Sequence, residues 1–115
     1  MLGNLRRWLR AVIDTYSAPR STYAQNGEDQ YVEEILETYD LSQSAYIDVG
    51  ANHPTSLSNT YRLYRRGIHG LTIEPNPELL ALHRKFRPRD IVVGVGCGQT
   101  AMLGEFQILS TPVLG

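Results

Sequence analysis

Cysteine is nearly missing: Cys97 is the only one in 115 residues. The chain can therefore form no disulfide within itself and no cysteine-based zinc site. That usage fits a reducing compartment, and a cytoplasmic location is expected. Long apolar runs are missing too. None reaches the roughly 18–20 residues that a membrane span needs. The basic N-terminus is followed by neither an uninterrupted apolar segment nor a small-residue cleavage site, which disfavours a secretory signal. A surplus of one charge is also absent. A net charge of -1 argues against nucleic acid as a partner, because such domains are normally clearly basic. Lysine is reduced to Lys85, from which nothing functional follows. There is no internal repeat and no low-complexity tract. The length allows one domain or a piece of one, with a real core and little margin.

What is present is organised around Tyr46-Ile47-Asp48-Val49-Gly50-Ala51-Asn52-His53-Pro54. It reads as a short strand that stops at an acid, a glycine, an amide and a proline. Tyr46, Ile47 and Val49 put apolar residues on both faces, as a buried parallel strand requires. Gly50 permits a tight turn and close approach of a ligand. Asp48 stands near the carboxyl end of the strand, where open α/β sheets bind ligands.

Ahead of it, residues 2–16 form an amphipathic helix, with Leu2, Leu5, Leu9, Val12, Ile13 and Tyr16 at helical spacing, Trp8 beside them, and Arg6, Arg7 and Arg10 on the other face. Packing on the domain or on a partner subunit is the favoured reading. Arginines opposite Trp and Leu also suit a membrane surface, the less favoured alternative. Ser17 to Ser21 is a linker by composition, so residues 1–21 stand apart from residues 22–115. A second helix has Val32, Ile35, Leu36 and Tyr39 on one buried face, with Asn26 as N-cap and Asp29 three residues on. Acids at a helix start account for Glu28 and Asp29, but no capping role requires Gln25.

After the central strand, Leu57 to Arg66 reads as a helix capped by Ser56 or Ser58 and ended at Gly67, with Arg62, Arg65 and Arg66 on a solvated face. Gly70 to Glu74 is a second strand ending in an acid. Asn76-Pro77-Glu78 opens a further helix by cap, proline and acid, with Leu79, Leu80, Leu82 and Phe86 as its apolar side and Pro88 as its stop. Ile91 to Val95 is the third strand, Gly96-Cys97-Gly98 a flexible loop, and residues 102–109 a possible extended segment. Strand–helix–strand–helix–strand with right-handed crossovers is half of a doubly wound sheet, with the first strand at the centre of the complete sheet.

A glycine turn after strand one and an acid about 20 residues on suit a nucleoside-containing cofactor, the acid accepting hydrogen bonds from ribose hydroxyls. Gly50 and Glu74 fit that spacing. Asp48 could hold a polar or cationic part, and the loop around Cys97 would lie next to a base ring. A dinucleotide fingerprint needs G-x-G-x-x-G, but the turn reads Gly50-Ala51-Asn52-His53-Pro54-Thr55. A pyrophosphate cradle is disfavoured, and a phosphate-free cofactor such as S-adenosylmethionine fits better.

Four blocks then become recognisable: Tyr23-Ala24-Gln25-Asn26-Gly27-Glu28-Asp29, residues 46–54, Ser58-Asn59-Thr60, and Ile73-Glu74-Pro75-Asn76-Pro77. In this order and spacing they resemble the FkbM family of methyltransferases, over about residues 22–98. The resemblance implies a Rossmann-like class I methyltransferase sheet, here its N-terminal half with strand order 3-2-1, and O-methylation of a hydroxyl on a sugar or polyketide-like small molecule. It implies that Asp48, Gly50 and Asn52 line the methionine end of the cofactor and that Glu74, with Pro75, meets the ribose. Gln25, Gly27 and Glu28 would lie over the mouth, and Cys97 near the base. Ala24 departs from the family, which commonly has serine there. Residues from about 99 onward fit poorly, and the chain ends before the family's Asp-Val-Glu-Gly-type strand, so the substrate side is expected to be absent.

Methyl transfer is an in-line displacement that gains from positioning, and an alcohol nucleophile gains from a base. His53 beside the turn is one candidate base, although a loop histidine shaping the turn before Pro54 is weighted slightly ahead. Glu28 is a second, with helix capping as its plainer role. A base on the missing fourth strand is at least as plausible as either. His69 and His83 read as surface or helix-face residues, and the three histidines lack metal-ligand spacing, so no metal is expected. Cys97 reads as a packing residue rather than a nucleophile. Two functions follow: a methyltransferase portion, or a cofactor-binding or interaction module without catalysis. The expectation for this chain alone is weak cofactor affinity and no turnover.

Overall fold

The computed structural model describes residues 2–105 and 107. Among these, strands β1 (Ile47–Val49), β2 (Leu71–Ile73) and β3 (Ile91–Val93) form a parallel sheet in the order β1-β2-β3. Helices α1 (Leu2–Tyr16), α2 (Glu28–Leu36), α3 (Tyr61–Arg65) and α4 (Pro77–Phe86) accompany it, with a 3-10 turn at Leu41–Gln43. The register aligns Asp48, Thr72 and Val92 on one face. Alternation puts Ile47, Val49, Leu71, Ile73, Ile91 and Val93 on the other.

Two crossovers in one direction carry α3 and α4 to the same side of a parallel sheet. On the side holding Thr72, that residue is fully buried and Asp48 and Val92 are half-buried, whereas on the other side Ile47 is 70% exposed, Val49 58% and Ile91 70%. The expected burial of β1 on both faces is thus corrected: one face is open, and β1 is an edge strand among the described residues. Gly70 lets β2 begin close against β1, since a Cβ there would fall 2.0 Å from the Tyr46 carbonyl oxygen. β3 stops at Val93, short of the expected Val95. The next residue, Gly94, lies so near the Leu80 side chain that a Cβ would meet it at 2.7 Å.

α4 forms as its sequence dictates. The Asn76 side chain accepts from the Glu78 N–H at 3.0 Å, Pro77 opens the first turn, and His83, Arg84 and Lys85 sit in the last. Leu79, His83 and Phe86 fall at i, i+4 and i+7 and are buried. His83, read as a surface or helix-face residue, lies on the inner face of α4 and is fully buried.

The other helices depart from their expected packing. α2 is capped by Gly27 in a left-handed conformation (φ 77°), not by Asn26. Its buried residues are Asp29 and Glu33, while Val32, Ile35 and Tyr39 are exposed. The reason is electrostatic. Glu33 binds Arg62 at 3.0 Å and Arg66 at 3.0 Å, and Asp29 accepts from the Tyr23 N–H at 2.7 Å and the Ala24 N–H at 3.3 Å. The arginines of α3 are therefore not a solvated face: Arg62 also donates to the Arg20 and Ser21 carbonyls, and Arg65 to those of Asp14 and Ser17.

α3 is shorter than the expected span from Leu57. Leu57 adopts a left-handed φ of 55°, and the Ser58 hydroxyl then accepts from the Thr60 and Tyr61 N–H groups. Tyr23 packs edge-on against Tyr61 with centroids 4.7 Å apart, which anchors the segment before α2.

α1 keeps its expected bounds but docks through Arg7, Ala11 and Asp14. Asp14 accepts from the Thr55 hydroxyl at 2.8 Å, and Trp8 meets Phe86 edge-on. Residues 102–105 and 107 hold no strand; Phe106, Ile108 and Leu109 of the expected extended segment lie outside the described residues.

Candidate functional site at the strand ends

The carboxyl ends of β1 and β2 are stitched together by backbone. The Gly50 and Ala51 N–H groups both donate to the Ile73 carbonyl, at 2.8 and 3.1 Å. Gly50 (φ 66°) and Asn52 (φ 59°) are both left-handed, a conformation that costs Asn less than most residues. Glu74 closes the turn: one carboxylate oxygen accepts from the Asn52 N–H at 2.7 Å and the other from the Asn76 N–H at 2.8 Å. Glu74 is buried. A carboxylate has about four acceptor sites, so two remain after these bonds. A Cβ built on Gly50 meets nothing within 4 Å, so open space lies against this turn.

Behind the turn sits a polar knot. The Thr60 hydroxyl donates to Asp48 Oδ2 at 2.6 Å, and Arg87 Nη2 donates to that hydroxyl at 2.9 Å and to the Tyr46 hydroxyl at 2.8 Å. Arg87 is fully buried, pairs with Asp90 at 2.7 Å, and donates to the Pro54 carbonyl at 3.1 Å. Asp90 also accepts from the Tyr46 hydroxyl and the Gly70 N–H. Burial pushes the Tyr46 phenol well above its usual range, opposed by the Arg87 charge. Asp48 is half-buried, with its orientation fixed through Thr60 by Arg87.

His83 fastens the turn from below. Its Nε2 lies 2.7 Å from the Asn52 carbonyl oxygen, so Nε2 carries the proton, and its buried Nδ1 has no partner. Burial first, and the Arg87 charge second, pull its pKa down to about 4.

His53 is equally committed. Nε2 lies 2.8 Å from the Arg7 carbonyl oxygen, and Nδ1 accepts from the Thr55 and Ser56 N–H groups at 3.1 and 2.9 Å. It is fully buried, and desolvation lowers its pKa. The lone pair that a general base needs is already taken by two backbone donors. The residue shapes the turn before Pro54, the reading weighted ahead from the sequence, and also anchors α1.

The remaining sequence-derived residues are less concentrated. Glu28 is exposed at the start of α2 and accepts from the Asn26 N–H at 3.3 Å. Gly27 caps α2, Gln25 and Cys97 are exposed, and Pro75 is half-buried. A shallow depression of about 510 Å³ is lined by Asn26, Gly27, Glu28, Gln30 and Tyr31, with none of Asp48, Gly50, Asn52 or Glu74 in its lining. The structure thus brings Gly50, Asn52 and Glu74 together at one turn, ties the Asp48 carboxylate to Thr60 behind it, and leaves Glu28 in a separate hollow.

Sequence reasoning missed Arg87, Asp90 and His83. One local signal was available: Arg87 and Asp90 stand three apart just after a helix stop, a spacing suited to an ion pair. Among the described residues no cluster of three or more His, Cys, Asp or Glu could hold a metal, and no helix is long and apolar enough to cross a membrane.

Fold and strand ends together define a small α/β domain with a parallel sheet, compatible with a Rossmann-like arrangement. Compared with protein-family models, curated proteins and solved structures, the chain finds no match.

Proposed function

We propose that this chain carries the cofactor-binding half of an S-adenosylmethionine-dependent methyltransferase with a class I sheet, acting on a hydroxyl of a sugar or polyketide-like small molecule. The observation that supports this most is Glu74 reaching from β2 to the Asn52 N–H on the β1 turn. That contact sets a buried acid, with acceptor capacity left after its two backbone bonds, next to the glycine turn about 20 residues earlier, the spacing that suits a ribose diol. The single glycine favours a cofactor without phosphates. Glu74 and Pro75 would meet the ribose, with Gly50 and Asn52 along the chain. Asp48 would face the cationic methionine end, and Cys97 the base.

The cofactor supplies an electrophilic methyl group on a sulfonium. The protein's own part is orientation. Glu74 holds its position through two backbone donors, and Asp48 is kept in place by Thr60 and Arg87.

Calorimetry with S-adenosylhomocysteine tests the reading on wild type and Glu74→Gln. The variant is expected to bind at least about tenfold more weakly, the loss of one charge-assisted hydrogen bond. Equal affinities in two folded proteins contradict the ribose role.

A second reading, a cofactor-binding module without catalysis, is favoured by the occupied nitrogens of His53. Release of S-adenosylhomocysteine in multiple turnovers with a hydroxyl acceptor rules out the module; binding without turnover by this chain is the outcome expected under both readings.

A further inference from the structure

α1 is docked the wrong way round for an ordinary surface helix. Arg7, Ala11 and Asp14 face the domain, and the opposite stripe of Leu2, Leu5, Leu9, Ile13 and Tyr16 faces out, with Leu5 53% and Ile13 51% exposed. An amphipathic helix normally buries its apolar stripe.

The rim of the stripe is cationic. Arg6 and Arg10 line one flank together with Leu9 and Ile13. Lys85 and Arg89 line a hollow beside Tyr16 and Phe86 on the other. The acids near α1 are paired: Asp14 is buried under Arg10 and Arg20, and Glu78, half-exposed, is bound to Arg7. The acids of the next segment, Glu28 to Asp40, belong to α2 and its exit.

We infer that the outer face of α1 is a docking surface for a bilayer carrying anionic phospholipids, with the helix lying in the plane of the interface. Leu, Ile and Trp8 enter the acyl boundary while arginines at the rim meet phosphate headgroups. Pairing with a second copy is disfavoured by the same charges. Two such faces would bring cationic rims together, and no exposed acid on α1 is there to answer them. This inference is independent of the cofactor reading.

Trp8, the single tryptophan, is a built-in probe. The whole chain is titrated with vesicles of phosphatidylcholine, with and without phosphatidylglycerol, following Trp8 emission and co-sedimentation. The expected result is a blue shift and binding with the anionic vesicles, weakened by salt. Leu5→Ser/Leu9→Ser should reduce partitioning at least about tenfold, and Arg6→Gln about fivefold. All three side chains are exposed, so the fold is retained, which circular dichroism checks. Equal binding to pure phosphatidylcholine overturns the inference, as does no binding by the folded wild type. A lipid-free blue shift that grows with protein concentration and tracks a dimer in sedimentation overturns it in favour of a second copy.

Discussion

α4 and the pair α1–α2 are held by opposite means. α4 buries Leu79 and Phe86 and turns its charged residues outward. α1 and α2 bury Arg7, Asp14, Asp29 and Glu33 and turn Leu5, Leu9, Val32 and Ile35 outward. α4 is seated largely by the hydrophobic effect, which is non-directional, with His83 and Arg87 as its polar anchors; the others are placed by ion pairs and hydrogen bonds, which fix geometry. The directional contacts gather around the loops that lead to the strand ends: Asp14 on Thr55, the Arg7 carbonyl on His53, Asp29 on the backbone of Tyr23 and Ala24. The polar side of the molecule is the side that shapes the candidate site.

The largest expected effect comes from Arg87, which ties α4 to Tyr46 and Asp90 at the starts of β1 and β3 and to Pro54 and Thr60 after β1. Arg87→Met leaves Asp90 buried without its cation and should cost about 3–5 kcal/mol, read as a lowered midpoint in a urea titration. Next is Leu79→Ala, on the apolar side of the contrast. It should cost about 3 kcal/mol by losing buried carbon and leaving a cavity, read by the same titration.

Acid comes third. His83 is neutral in the fold with a pKa near 4, against 6.5 when unfolded. The unfolded chain therefore binds more protons between these values. Stability is full above pH 6.5 and falls as the pH drops towards 4, by about 3 kcal/mol in all. His53 adds to the loss in the same direction. Urea midpoints at intervals between pH 7 and pH 4 check it, and a flat profile would count against a buried neutral His83.

Glu33→Gln weakens the seat of α2 on Arg62 and Arg66 and should cost about 2 kcal/mol, within the range for bonds to charged groups. The smallest effect sharpens the contrast most: Ile35→Ala, on the apolar but exposed face of α2, should change stability by less than about 0.5 kcal/mol. A loss as large as that of Leu79→Ala would show that α2 buries its apolar face after all.

The legible parts of the fold were those set by neighbouring residues. Asn76, Pro77 and Glu78 specify the start of α4 within three positions, and Pro88 stands just past its end. The bounds of α1 follow from its periodicity. So do the strands, from short β-branched runs ended by glycine or acid. Which face of a helix is buried did not follow. Periodicity defines an apolar stripe, but Glu33 finds Arg62 29 positions away, and that pairing decides the docking. The site was legible to the same depth. Asp48, Gly50, Asn52 and Glu74 were singled out from local chemistry; Glu74 does reach the Asn52 N–H on the Gly50 turn, whereas the Asp48 carboxylate is held by Thr60 behind it. The knot behind them joins Tyr46 to Asp90 across 44 positions and Arg87 to Thr60 across 27, separations at which no spacing rule operates. His83 lies on the apolar side of α4 with Leu79 and Phe86, but its role did not follow from that, because its partner is a carbonyl 31 positions away.

The central claim is that the turn at Gly50 and the carboxylate of Glu74 hold a phosphate-free adenosyl cofactor. The most direct measurement is a pair of calorimetric titrations of the wild-type chain, one with S-adenosylhomocysteine and one with NAD. The account predicts saturable, weak binding of the first and none of the second. Binding of NAD as tight as that of S-adenosylhomocysteine, or no heat from either with a folded protein, would contradict it.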